Sequence, residues 1–187
     1  ALDIFSSIGG ERASTGRIYI QNVDHCNTNS PFDPTVAPIR QSNLCLEIAL
    51  PTKPLVGGYG KDRDDGEIAL CTLAAFNLGE MHDDSDIEEC AELAVRALDE
   101  ILDFQDYPHP AALHAKGRRA LGIGVVNYAY YLAKHGFNYS SENGNQLTHE
   151  LFESIQYYCL KASNKLAAEK GVCDYYHETS YSKGVMP

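Results

Sequence analysis

An amide, a thiol and a carboxylate stand two apart at Asn43, Cys45 and Glu47, with Leu44 and Leu46 between them. In an extended segment such residues project to one side. The three polar groups would then share a face, and the two leucines would anchor the other face on an apolar core. A sulfur flanked by a hydrogen-bonding amide and a potential base is a reaction centre in outline. The competing reading is a structural thiol, because free cysteine packs like a small hydrophobe; the polar company of Cys45 argues for a cleft instead. A flat strand would part Asn43 from Glu47 by roughly 13 Å, at about 3.3 Å per residue, more than one five-membered ring can bridge. If all three residues serve one ligand, the segment must curl into a bent tip.

The elements that would hold this tip follow from spacing. Residues 2–8 read as the end of a helix closed by Gly9-Gly10. Residues 17–22 alternate like a strand, and prolines at 31, 34 and 38 make 27–40 a loop. An extended run over 44–50 ends at Pro51, a loop rich in Gly, Pro and charge covers 51–66, and a second extended run covers 67–77. The two runs would pair like a hairpin and set Cys45 and Cys71 on neighbouring strands. Asp84-Ser85-Asp86 caps a helix reaching about 106, with apolar residues at 87, 90, 91, 94, 95, 98, 101 and 102. A short buried strand at 121–126 leads into a helix over 127–135 stopped by Gly136, and 148–170 is a long amphipathic helix closed by Gly171. Strands interleaved with helices in this rhythm mean an α/β architecture.

Composition narrows the classes. The 187 residues, 44% of them hydrophobic, are enough for one sizeable core. A formal charge of −11 excludes a nucleic-acid or anionic-membrane partner held by bulk electrostatics, though not a nucleotide, whose phosphates need only a few local donors. Six cysteines without a C-x-x-C pair form neither a disulfide scaffold nor a zinc or thioredoxin-type motif. No long apolar run or signal segment is present, so a cytoplasmic, reducing location is the default expectation. The opening at Ala1 inside a helical stretch, and the close at Pro187 in a turn, suggest an internal piece of a longer protein.

The stretch Ser30-Pro31-Phe32-Asp33-Pro34 through Gln41-Ser42-Asn43-Leu44-Cys45-Leu46-Glu47-Ile48 resembles the large (α, catalytic) subunit of class I ribonucleotide reductases, and the likeness extends across essentially all 187 positions. The resemblance implies the central part of the ten-stranded α/β barrel, including its active-site finger loop. Residues 1–187 would be a portion of the catalytic barrel domain, with an allosteric N-terminal domain and a C-terminal part lying outside it. The implied activity is reduction of ribonucleoside diphosphates to deoxyribonucleotides by a thiyl-radical mechanism. By the resemblance, Cys45 matches the cysteine that becomes the thiyl radical and takes the ribose 3′ hydrogen atom. Glu47 matches the general base on the 3′ hydroxyl, and Asn43 the amide that orients the sugar. Cys71 matches one of two cysteines that end as a disulfide, its partner lying upstream of Ala1. The chemistry fits, since replacing C–OH by C–H consumes two electrons. The 51–66 loop is longer than is usual in that family and reads as a tolerated surface insertion. No cofactor would be bound directly by this segment. A metal-containing small (β) subunit would supply the radical, ATP and dNTP effectors would bind elsewhere, a second α chain would complete a homodimer, and thioredoxin or glutaredoxin would be the reductant.

The remaining motifs take plainer readings. Cys26, Cys90, Cys159 and Cys173 read as packing thiols. The histidines lack metal-ligand spacing. Gly122 and Gly124 make an incomplete dinucleotide fingerprint, read as strand with close backbone packing. Arg118-Arg119 reads as solvated charge, and the acids from Asp83 to Glu89 as partners of a helix N-terminus. Three rivals stand beside the main reading: a cobalamin-dependent class II reductase, another thiyl-using barrel such as a glycyl-radical lyase, and a non-catalytic nucleotide-binding relic. Glu47 and Cys71 weigh against the second.

Overall fold

The computed structural model describes residues 1–56 and 65–186, so 57–64 of the expected 51–66 loop lies outside the described residues. The chain divides into two compact units, Ala1–Pro54 with His177–Pro187, and Leu55–Tyr176.

In the first unit, helix α1 (Leu2–Thr15) runs straight through Gly9-Gly10 and stops at Gly16, whose φ of 65° is left-handed. This corrects the expected stop. A mid-helix glycine costs only about 1 kcal/mol, whereas a left-handed residue must end the ladder. Residues 17–22 form no strand: among the described residues no ladder bonds to them, and alternation without a partner strand is not a sheet. A short helix α2 (Val23–Thr28) follows. Asn27 ties it to the proline-rich loop, accepting from Ile39 N and donating to Ile39 O at 2.8 Å each, which seats Ala37 and Ile39 in the small core. The chain's end returns to this loop through a bridge between Phe32 and Thr179, and Lys183 Nζ donates to Asp33 at 2.9 Å.

The second unit carries strand β1 (Leu73–Asn77), paired in parallel with β2 (Gly122–Val126), Leu73 opposite Gly122 and Asn77 opposite Val126. Among the described residues 44–50 joins no ladder, which corrects the expected hairpin with 67–77. The parallel register instead needs the long crossover that α3 (Asp84–Phe104) and the short helix α4 (His114–Arg118) supply. After β2 come α5 (Tyr128–Lys134) and α6 (Glu142–Lys170). Helix α6 begins six residues before the expected Thr148, because Ser141 Oγ accepts from Gly144 N at 3.0 Å. Only glycine fits there, since an added Cβ would lie 2.5 Å from Ser141 Oγ.

One face of the sheet packs on α3 and α6. Phe76, Leu78, Ile87, Ala91, Leu151 and Ile155 form one cluster, and Val95, Ala162 and Leu166 another, with Ile123 against both. Ion pairs lace the helices outside this core: Arg96 to Glu169 through two 2.7 Å bonds, Lys161 to Glu88, and Lys165 to Glu92. The other sheet face is open, with Leu73 and Val126 each 49% exposed. So β2 is half-buried, not the buried strand expected, and Gly124 meets nothing that would crowd a Cβ.

Candidate functional site

The tip is bent. Leu46 N donates to Asn43 O at 3.2 Å, and Leu46 itself is left-handed at φ 68°. A leucine there is uncommon and costs of order 1–2 kcal/mol. The base of the bend is closed by Asn43, whose Oδ1 accepts from Ile48 N and from Ser42 Oγ, both at 3.1 Å. The one Ser42 hydroxyl hydrogen is shared between that oxygen and Ile48 O, which lies at 2.5 Å. Across this clasp Asn43 Nδ2 donates to Glu47 Oε1 at 2.5 Å, in place of the roughly 13 Å of a flat strand. Cys45 sits at the turn with its thiol exposed.

The bend therefore joins the amide two residues before Cys45 to the carboxylate two residues after it, and the expected curl of the segment is present. The leucines behave otherwise. Leu44 is 90% exposed and is not buried in an apolar core as expected, because a turn does not keep the two-residue alternation of a strand. Ser42, not singled out from the sequence, completes the clasp. A serine beside the motif was the only hint of it.

Cys71 belongs to the second unit, on the strap that leads into β1. Its face is now decided. Thr72 and Phe76 are buried while Cys71 and Leu73 are exposed, so the thiol lies on the open side of the sheet line. The strap is fastened at both ends. Gly122 N donates to Thr72 O at 2.9 Å, and Ile68 N to Ala111 O at 3.0 Å. Glu67 meets Arg118 in a two-pronged ion pair, Nε to Oε1 and Nη2 to Oε2, the latter at 3.0 Å. Both side chains are under 5% exposed.

The solvated reading of Arg118-Arg119 is thus corrected. Arg118 lies under the Tyr175 ring, 4.5 Å from its centroid, and Arg119 grips Asp99 and Asp103 of α3. Their partners lie 51 and 16 to 20 residues away in sequence, beyond any local signal. Cys90 and Cys159 pack against the helix core as expected, and burial pushes both thiols up from their ordinary range. Asp83 caps α3 by accepting from Ser85 N and Asp86 N. Its bond from the Ser85 hydroxyl, and then those backbone bonds, hold its carboxyl below the usual range. Among the described residues no three His, Cys, Asp or Glu side chains converge as a metal would need, and no helix is long and apolar enough to cross a membrane.

The family described as ribonucleotide reductase, barrel domain, matches residues 1–187. The chain belongs to the ribonucleotide reductase barrel-domain family. Its mixed α/β fold is a piece of that barrel. The ribonucleoside-diphosphate reductase subunit alpha of Haemophilus influenzae is 64% identical, and subunit alpha of reductase 1 from Escherichia coli 65%, each over the whole of this chain. The subunit alpha of phage T4 is 50% identical over the same span. The chain spans about a quarter, 24%, of each of these reductase subunits.

Proposed function

We propose that this chain is the central segment of the catalytic barrel of a class I ribonucleoside-diphosphate reductase α subunit, and that its tip initiates reduction of the substrate ribose. The observation that carries the reading is the 2.5 Å bond joining Asn43 and Glu47 across an exposed Cys45. The Asn43 amide gives an N–H to Glu47 Oε1 and so fixes where that carboxyl group sits, the positioning a general base needs. The clasp through Ser42 and Ile48 fixes the tip before substrate arrives, so little ordering is left for the binding step.

In this reading a radical on the Cys45 sulfur takes the 3′ hydrogen atom, forming S–H and leaving an unpaired electron on C3′. Glu47 accepts the 3′ hydroxyl proton, and the 2′ hydroxyl leaves as water with a proton from a cysteine thiol. Cys71 and a second cysteine outside this chain give two electrons and become a disulfide. The second thiol hydrogen goes to C2′, the hydrogen atom returns from Cys45 to C3′, and Glu47 gives its proton back to the 3′ oxygen. The balance is two thiols and one ribonucleotide in, one disulfide, one water and one deoxyribonucleotide out.

The radical source is a metal-containing β subunit, the reductant of the disulfide is thioredoxin or glutaredoxin, and a second α chain completes the dimer. Nucleotide effectors bind outside this segment, and the protein works in the cytoplasm on a nucleoside diphosphate, without nucleic acid or membrane. The relatives from Haemophilus influenzae and Escherichia coli are named as alpha subunits of ribonucleoside-diphosphate reductases, and a lettered subunit favours a two-subunit class I enzyme over the cobalamin-dependent alternative. The test is Cys45→Ser in a full-length subunit carrying this sequence. Product formation should be abolished while the fold persists. Turnover that survives the substitution ends the assignment.

A further inference from the structure

We propose that Glu67 and Arg118 are positioning residues for Cys71: their buried ion pair sets how readily that thiol closes into its disulfide. The inference rests on the redox role given to Cys71 above.

Cys71 is exposed on an irregular strap, three residues beyond Ile68 and one before Thr72. Downstream the strap is held by the ladder bond from Gly122 N to Thr72 O. Upstream its fastenings include the backbone bond from Ile68 N to Ala111 O and the Glu67–Arg118 pair. The side chains of that pair are 1% and 4% exposed. A buried pair of this kind contributes little net stability against an apolar pair of equal volume, yet it tolerates only one geometry.

The surroundings over-determine Arg118. Its guanidinium stacks beneath Tyr175 at 4.5 Å. The Tyr175 hydroxyl meets His114 Nδ1 at 2.5 Å, and Tyr175 N donates to Gly117 O at 3.2 Å. A Cβ at Gly117 would come within 2.7 Å of the Tyr175 ring, so the ring closes directly on the helix. Gly66, beside Glu67, is packed so that a Cβ would meet the Leu55 side chain at 2.6 Å. An ionic clamp fixed this firmly, four residues from a thiol that must meet a partner sulfur within the narrow geometry of a disulfide, controls the effective concentration of that thiol.

The experiment measures the equilibrium between Cys71 dithiol and disulfide in glutathione buffers, read by thiol alkylation and mass spectrometry, in the full-length subunit. Arg118→Lys keeps the charge but loses the fork and the flat stacking face. It should lower the effective concentration at Cys71 about tenfold, equivalent to about 30 mV. Arg119→Lys, on the same helix end but directed at Asp99 and Asp103, should destabilise the fold without moving that equilibrium. If Arg118→Lys does not fold, the double variant Glu67→Gln with Arg118→Gln, which leaves no unpaired buried charge, takes its place with the same expected shift. A folded Arg118 variant with the parent's equilibrium overturns the proposal, as does an equal shift in Arg119→Lys. Absence of any Cys71 disulfide in the parent protein overturns the redox role beneath it instead.

Discussion

Glu47 is the residue whose proposed role is tied most directly to its neighbours. It is exposed, and its carboxylate takes an N–H from Asn43 at 2.5 Å. Glu47→Gln keeps the shape and removes the base, so kcat should fall about 100-fold or more with no change in thermal midpoint. A loss smaller than tenfold would remove Glu47 from the proton transfer. Leu46 is the strained residue of the tip, and nothing in its own chemistry announces a φ of 68°. The clasp of Ser42, Asn43 and Ile48 imposes that conformation, so it became visible only once those bonds were in place.

Short clips hold the elements to one another, and one of them responds to acid. The Thr35 hydroxyl first, and then Lys183, hold the Asp33 carboxyl at about 2, down from 3.8. A carboxylate depressed in the folded state contributes stability that is complete above its unfolded value and lost as pH falls through the folded one. The clip should therefore loosen between about pH 4 and pH 2. Amide protection at Ser180, which donates to Pro31 O at 2.6 Å, should drop across that window after correction for intrinsic exchange. In Asp33→Asn the drop should vanish; a drop of unchanged size would assign the acid response to another group. Asp99, at the α3–α6 seam, works in the same direction. Burial raises its carboxyl, but bonds from Arg119 and Lys170 outweigh this and leave it below the usual range, so acid loosens the helix pair as well.

At the scale of the molecule, a parallel sheet is stable when both faces are covered, and among the described residues only one is. Leu73 and Val126 on the open side, with Leu2, Ile4 and Phe5 on α1 at 81, 67 and 75% exposure, leave apolar surface bare. Patches of that kind are interaction surfaces or liabilities in an isolated chain. The 187-residue chain alone should bind a hydrophobic dye and melt over a broad range. A full-length subunit should do neither in its native state. A sharp, dye-silent transition in the isolated chain would show that it folds as a finished domain. The net charge of −11 opposes aggregation but covers no apolar surface.

The order of residues 43–47 determined the chemistry on offer, the glycines at 136 and 171 determined where two helices close, and the apolar spacing from Ile87 to Leu102 determined the helix face that meets α6. These are local properties, and chain stereochemistry and periodicity suffice for them. The tertiary structure decided which alternating segments became strands, since 17–22 and 44–50 alternate as well as 73–77 but have no ladder partner among the described residues. It also decided which charges were buried: Arg118 looks like any solvated arginine until Glu67, 51 residues away, closes on it. Strand pairing and ion pairing each need two distant segments at once. Either segment alone carries only half of the interaction.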